Sequence, residues 1–461
     1  MNKDIFEFEV MYFLGIGGIG MSALARYFHK KGVIVLGYDR TATALTTELE
    51  LEGISINYDD SVLNIPELLH VTPLEKVLIV RTPAIPSDSL QWNFFVERGY
   101  RIWKRSEILG YITELNDTIA VGGTHGKTTT SSMIAHLLHN SIGCNAFLGG
   151  IANNFKSNMV LSESNTTVVE ADEFDRSFLT LTPQISVLTS MDADHLDIYG
   201  NEDSVREGFC LFLERTKADG HILTKQELDI NDSIQTEAKK WTYSIHGKAD
   251  FWASRIEVIN GLFEFDLHSP FGDLSGVQLA LPGRHNVENA VAAIASACIA
   301  GMNINQVPEI LREFSGVNRR FDIRFRAANK VYIDDYAHHP TELNAAISAA
   351  RELFPNKKLT VIFQPHLYSR TRDFADGFAQ SLSMADELIL LPIYPARELP
   401  IEGIDSQWLF DKIQLKDKKL IDKDEIFTYL KSSEIQVLMT LGAGDIDTVV
   451  APLVNWFENE Q

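Results

Sequence analysis

Residues 117–130 read DTIAVGGTHGKTTT, and the rest of the chain is organised around them. A short apolar strand (Ile119, Ala120, Val121) runs into a turn flanked by Gly122, Gly123 and Gly126. Lys127 and Thr128 follow at once, and Met133, Ile134, Leu137 and Leu138 then recur as one face of a helix. A strand, loop and helix of this kind make a phosphate cradle. Glycines let backbone N–H groups turn inward, the helix start carries partial positive charge, a lysine reaches the outer phosphates and a threonine hydroxyl can ligate Mg2+. The candidate contacts are Gly123, Thr124, His125, Gly126, Lys127, Thr128 and Thr129. The loop is a short variant, with Val121 where the longer pattern has its first glycine.

Upstream lies a second glycine loop. Residues 8–14 (FEVMYFL) read as a buried strand leading into Gly15, Gly17, Gly18, Ile19 and Gly20, and then into a helix with Met21, Leu24, Ala25 and Phe28 on one face. A strand at 33–36 ends at Gly37-Tyr38-Asp39. Strand, glycine loop, helix, strand and acid match the dinucleotide fingerprint, in which a diphosphate meets the helix start and the acid meets a ribose hydroxyl. The pattern indicates a diphosphate-bearing nucleotide more firmly than it indicates NAD. The turn Thr82-Pro83-Ala84-Ile85-Pro86 follows a further strand, where an open parallel sheet places ligands; a rigid loop is the alternative.

Length and composition set the frame. A chain of 461 residues exceeds one ordinary core, so several domains are expected. The net charge of -22 argues against nucleic-acid binding, because a phosphate backbone would be repelled over most of the surface. Cys144, Cys210 and Cys298 are far apart and lack metal spacing, as expected for buried thiols in a reducing compartment. Without a signal segment or a membrane-length apolar run, a cytoplasmic protein is expected. The spacing places domain boundaries near 112 and 316. The expected class is α/β, with a Rossmann-like domain at 1–112, a central phosphate-loop domain at 113–316 and a Rossmann-like open sheet at 317–461.

After the phosphate loop, strands at 166–169 and 185–189 end in Glu170-Ala171-Asp172-Glu173-Phe174-Asp175 and Met191-Asp192-Ala193-Asp194-His195. Carboxylates beyond a strand are where Mg2+ must be held against the phosphates, with Glu170 the first candidate and His195 a competing ligand; solvated, helix-capping or structural roles are the alternatives. Residues 220–276 alternate like an antiparallel sheet. An alanine-rich helix then runs through Met302, and Asn286 and Asn289 near its start share a face suited to adenine or to capping. In the last domain four strands are expected, at 331–334, 359–363, 387–391 and 437–441. Polar clusters follow them, including Asp335-Tyr336-Ala337-His338 and His366-Leu367-Tyr368-Ser369-Arg370-Thr371-Arg372, the arginines suited to a carboxylate or phosphate. The charged stretch 415–425 reads as a solvated surface face.

Taken together, these segments resemble the Mur ligases of bacterial cell-wall synthesis. The resemblance is carried in order by GIGGIGMS (15–22), GTHGKTTT (123–130), EADEFDRSF (170–178), DADHLDIYG (192–200), GRHNVEN (283–289), RRFD (319–322), DDYAHHPTE (334–342), QPHLYSRTRD (364–373) and LGAGD (441–445). It implies ATP-dependent amide ligation, with UDP-N-acetylmuramate on the first glycine loop and ATP on the second. Mg2+ would be held by Thr128, Glu170 and His195. Adenine would meet Asn286 and Asn289, Arg320 the phosphates and Asp335 the ribose, while Tyr336, His338 and Arg370 would line an amino-acid pocket. The alanine-adding branch is the nearer match, with L-alanine as the incoming amine, and a tripeptide-recycling ligase is the rival. Absence of lysine from 206–213 is consistent with the alanine-adding branch. The chain departs from the family pattern at Leu367, where many relatives carry Arg, and at Asn57-Tyr58, where many carry Gly-His. A monomer or a homodimer is expected.

Overall fold

The computed structural model describes residues 5–192, 199, 201–396 and 398–459. They fall into two compact units. One gathers the chain up to Trp252 with Ser269–Gly272 and Val291–Ile310; the other takes Ala253–His268, Asp273–Ala290 and the chain from Leu311 onward.

The first unit opens with five parallel strands: β1 (Val10–Leu14), β2 (Ile34–Tyr38), β3 (Ser55–Asn57), β4 (Val77–Arg81) and β5 (Arg101–Lys104). Their order is β3-β2-β1-β4-β5. All of β1 is buried, as a strand covered on both faces must be, and its continuous apolar run follows from that. The chain builds outward from β1 to β3 and then returns to the other side of β1 with β4. The crevice between β1 and β4 is therefore a topological switch point, where such sheets bind ligands.

The phosphate loop lies on a second sheet made of β6 (Asp117–Gly122), β7 (Asn145–Ala152), β8 (Ser157–Val160), β9 (Thr166–Glu170), β10 (Ile185–Leu188), β11 (His221–Lys225) and β12 (Lys239–Ser244). Their order is β12-β11-β10-β6-β9-β7-β8. β6 pairs in parallel with β9 and β10, so three neighbouring strands end together around the loop. Helix Lys127–His139 is buried from Thr128 to Leu138. Helix Ile19–Lys30 joins the two sheets: Tyr27 packs against Phe147 of β7, and buried Arg26 donates to Asn158 Oδ1 of β8 at 2.6 Å.

The antiparallel expectation for residues 220–276 holds for the later strands and not for the earlier ones. β11 and β12 run parallel to β10, and β13 (Phe251–Ile259) begins parallel to β12. β14 (Leu262–His268), which carries the alternating Phe263, Phe265 and Leu267, pairs antiparallel with β15 (Leu274–Leu279) in the second unit. Alternation reports which face is buried, not the direction of the neighbouring strand.

The second unit also holds β16 (Asp322–Arg326), β17 (Val331–Asp335), β18 (Leu359–Phe363), β19 (Glu387–Leu390), β20 (Lys418–Leu420) and β21 (Val437–Leu441), in the order β16-β17-β21-β18-β19-β20. The four expected strands are there, and two edges join them. β16 is antiparallel to β17, and β20 lies inside the stretch expected to be a plain surface face. Lysines suit an edge strand because they discourage pairing with another chain. Lys418 also caps helix Ser406–Lys412, donating to Phe410 O and Ile413 O. The alanine-rich helix is Arg284–Ile299 and stops short of Met302, before Gly301 at φ +105°.

Candidate functional site

The first glycine loop closes on the end of β2. Gly15, at φ +83°, and Ile16 both donate to Tyr38 O, and Asp39 accepts from Gly17 N at 2.8 Å and Thr41 N at 3.2 Å. Asp39 thus holds the loop's shape through the two oxygens that the fingerprint assigns to a ribose. A methyl on Gly17 would lie 2.8 Å from Asp39 Oδ2 and 2.7 Å from Thr46, so only glycine fits there. Gly18 caps helix Ile19–Lys30 in extended conformation and brings no side chain to the first N–H groups, which suits an anion. Thr82 follows the neighbouring β4 and touches this loop, its methyl 2.6 Å from the place of a Gly15 Cβ. The Ala84 N–H points to the Thr82 hydroxyl at 3.5 Å. Gly15, Gly17, Gly18, Ile19, Gly20, Asp39, Thr82 and Ala84 are therefore gathered at the switch point.

In the phosphate loop Gly123 (φ +135°) and Gly126 (φ +82°) take the left-handed conformations that the turn requires. Lys127 Nζ is buried and donates to Gly123 O at 2.5 Å, Thr124 O at 3.2 Å and Glu173 Oε1 at 3.0 Å, with Glu173 Oε2 at 2.8 Å. Burial works against the ammonium, but Glu173 and Glu170 outweigh it and raise its pKa. Thr128 Oγ1 donates to Glu170 Oε1 at 3.1 Å, and the Gly149 N–H fixes Glu170 Oε2 at 3.0 Å. The end of β10 pins the other side: Ser190 Oγ accepts from His125 N at 2.7 Å, Thr189 Oγ1 donates to His125 O, and Asp192 O accepts from the Thr124 hydroxyl. Thr129 is buried in the first helical turn. His195 lies outside the described residues.

Sequence reasoning did not single out Glu173, Ser190 or Arg105. Glu173 was one of four acids in a six-residue string, and nothing local distinguishes it from Asp172. Arg105 donates to Asp172 Oδ2 at 3.2 Å and fills the space beside Gly20.

In the second unit, Asn286 and Asn289 are bonded to each other, and Asn286 also donates to Pro282 O at 2.6 Å. Asp335, at the end of β17, accepts from Phe321 N and Ala337 N, both at 2.7 Å. Burial pushes its carboxyl up to about 6, despite the opposing pull of Arg320 and these two N–H groups. The Arg320 guanidinium lies over the Tyr336 ring at 5.3 Å and reaches Glu342 at 3.7 Å. His338 packs edge-on to Tyr336 at 5.2 Å, and its Nδ1 is 3.0 Å from Tyr336 O. That contact places the imidazole proton on Nδ1. Burial holds the His338 pKa down at about 4 against the pull of Glu342, and Arg370 nearby pushes it further down. Tyr336 and His338 therefore meet beyond the end of β17, and the charge of Arg370, on the helix that follows β18, is felt at His338. Glu342, which also accepts from His338 N at 3.0 Å, is the member of this group that the sequence did not single out.

Family models match residues 10–116 (Mur ligase family, catalytic domain), 121–297 (Mur ligase middle domain) and 319–450 (Mur ligase, glutamate ligase domain). A UDP-N-acetylmuramate–L-alanine ligase of Flavobacterium psychrophilum is 48% identical over 441 residues, which are 95% of this chain and 96% of that protein. The chain belongs to the Mur ligase family. Mur ligases are ATP-dependent and have a three-domain α/β architecture with mixed sheets, as here. Of the solved Mur ligases, the UDP-N-acetylmuramate–alanine ligase of Thermotoga maritima is 29% identical with a TM-score of 0.81, covering 98% of this chain and 99% of its own. A murein peptide ligase of Psychrobacter arcticus is 22% identical with a TM-score of 0.70, covering 97% and 98%, and shares the fold. Among the described residues no helix is long and apolar enough to cross a membrane.

Proposed function

We propose that this Mur ligase joins L-alanine to the lactyl carboxylate of UDP-N-acetylmuramate at the expense of ATP, in peptidoglycan precursor synthesis. The observation that carries the reading is 48% identity to an alanine-adding ligase over 95% of the chain, in a protein whose Thr128 is hydrogen-bonded to Glu170 and whose Lys127 feels the charge of Glu173 and Glu170 at the same loop. Cytoplasmic location, monomeric or homodimeric state, and domains at 1–112, 113–316 and 317–461 belong to the same proposal.

The substrates define the electrostatic problem. A carboxylate must attack a triphosphate, so negative charges have to be brought together. The muramyl carboxylate adds to the γ-phosphorus, ADP leaves and an acyl phosphate forms. The neutral amine of L-alanine then adds to the acyl carbon, phosphate leaves with the bonding pair, and the amine's spare proton passes to solvent. Lys127 serves the first step by exchanging Glu173 for phosphate oxygens. Thr128 and Glu170 offer hard oxygen ligands, and the Gly149 N–H aims the carboxylate toward Thr128, so these residues fit Mg2+. When bound, Mg2+ neutralises phosphate charge, and His195 is its third proposed ligand on the family pattern.

The remaining roles follow the same reading. Gly15, Gly17, Gly18, Ile19, Gly20, Asp39, Thr82 and Ala84 take the UDP moiety, Asn286 and Asn289 adenine, Arg320 phosphate and Asp335 ribose. Arg370 takes the L-alanine carboxylate. His338, kept neutral beside it, accepts an amine N–H at Nε2 without repelling the ammonium form.

The test is phosphate release from ATP and Mg2+ with UDP-N-acetylmuramate, comparing L-alanine with L-Ala-D-Glu-diaminopimelate. Release with alanine and a product heavier by one alanyl residue is expected. Release with the tripeptide alone would assign the chain to recycling instead.

A further inference from the structure

The stretch after β19 folds over the stretch after β18. Tyr394 N donates to Pro365 O at 2.9 Å and Leu367 N donates back to Tyr394 O at 3.0 Å, which makes a parallel bridge between His366 and Tyr394. The two rings stack, with centroids 5.8 Å apart and planes 18° apart. His366 in turn lies edge-on to His338 at 6.2 Å. Further along, the Glu398 carboxylate accepts from Ser369 N at 3.0 Å and from the Ser369 hydroxyl.

These contacts converge on a strained point. Leu367 precedes helix Tyr368–Asp373 with φ +68° and ψ 137°, a conformation that a branched side chain keeps only when its surroundings impose it. Leucine has no oxygen with which to cap the helix, so the carboxylate that serves the Ser369 N–H must come from elsewhere in the chain. Glu398 supplies it across 29 residues. The next residue along the helix is Arg370, buried and close enough to His338 to depress its pKa.

We propose that Glu398 is a positioning residue for the amino-acid substrate. By capping Ser369 it holds Leu367 in its strained turn and fixes Arg370 and His366 in the orientation that receives a small α-amino acid. It acts through Ser369, not by touching substrate, and the inference rests on the reading of Arg370 as partner of the L-alanine carboxylate. Glu398 therefore sets the affinity for amino acid and leaves both nucleotides alone.

The experiment varies L-alanine, ATP and UDP-N-acetylmuramate in turn with the full chain, its Glu398→Gln and Ser369→Ala variants, and Ser369→Thr, which keeps both donors. Loss of a charged hydrogen bond is expected to raise KM for L-alanine roughly tenfold in Glu398→Gln. Ser369→Ala should raise it a few-fold and Ser369→Thr should restore it, with KM for both nucleotides unchanged within about twofold. An unchanged alanine KM in a folded Glu398→Gln protein overturns the proposal, as does a loss of kcat with every KM intact. If Glu398→Gln does not fold, the Ser369 pair decides by the same criterion. Failure of the underlying reading shows separately, as a wild-type protein that releases no phosphate with L-alanine.

Discussion

Lys127 stands in this structure where a nucleotide would have to displace an acid. Its ammonium is held by the Glu173 carboxylate and by two loop carbonyls, and both charges are buried. Removing one partner of a buried pair leaves the other uncompensated, which costs about 3 to 5 kcal/mol. Lys127→Ala is therefore expected to do two separable things. Phosphate release should fall by at least about a thousandfold, because the triphosphate loses its counter-charge. The melting temperature should fall as well, because Glu173 is stranded. Adding Glu173→Gln should recover the melt and leave turnover absent; thermal unfolding and phosphate release on the single and double variants test this. A double variant that regains turnover would mean that Lys127 has no part in the chemistry.

Among the elements, β7 and β9 show how a backbone position can orient Glu170, the proposed Mg2+ ligand. Glu170 ends β9, and Gly149 of β7 approaches it so closely that a Cβ there would lie 2.2 Å from Glu170 Oε2. Gly149→Ala must swing the carboxylate away from Thr128. The Mg2+ concentration for half-maximal rate should then rise about tenfold, with the melting temperature little changed, and a magnesium titration of both proteins reads this directly. A second element-level device is the bolt between helix Ile19–Lys30 and β8. Arg26→Met strands the buried Asn158 carbonyl and should cost about 1 to 3 kcal/mol in denaturant unfolding. The sequence carried much of this architecture and little of its cross-bracing. The two glycine loops were legible because each follows a strand and opens a helix within a short span, the first completed by Asp39 after the next strand and the second by Lys127. Glu170 was legible as an acid at a strand end. Gly149 and Glu173 were not, since their partners lie 21 and 46 residues away and no periodicity marks a contact between elements. The direction of β11 and β12 was hidden for a related reason: neither strand alternates in burial, and no local pattern marks the direction of a neighbouring strand.

At the scale of the molecule, the second unit holds two histidines and an aspartate that burial shifts strongly. Burial holds both His285 and His338 at about 4, whereas Asp335 is raised to about 6. In the unfolded chain the histidines titrate near 6.5, so between pH 6.5 and 4 the unfolded state binds more of their protons and stability falls with pH. Asp335 has the opposite sign: its folded carboxyl keeps a proton up to about 6, and the stability this gives is lost as pH rises from about 4. Asp334 beside it is raised by burial too, so the loss that the two histidines bring on acidification is offset in part by both aspartates. The unit that contains β16–β21 is therefore expected to open at acid pH before the unit that carries the phosphate loop. Hydrogen exchange at pH 7.5 and pH 5 should show earlier exposure of β17, β18 and β21 than of β6, β9 and β10. His285→Gln removes one of the two acid-sensitive groups and leaves the opposite contribution of Asp335 standing, so it should largely abolish the slope of stability between pH 6 and 4.5 and leave it unaltered above pH 7. Equal slopes in the two proteins would mean that the imidazole of His285 is not the group that acid exploits.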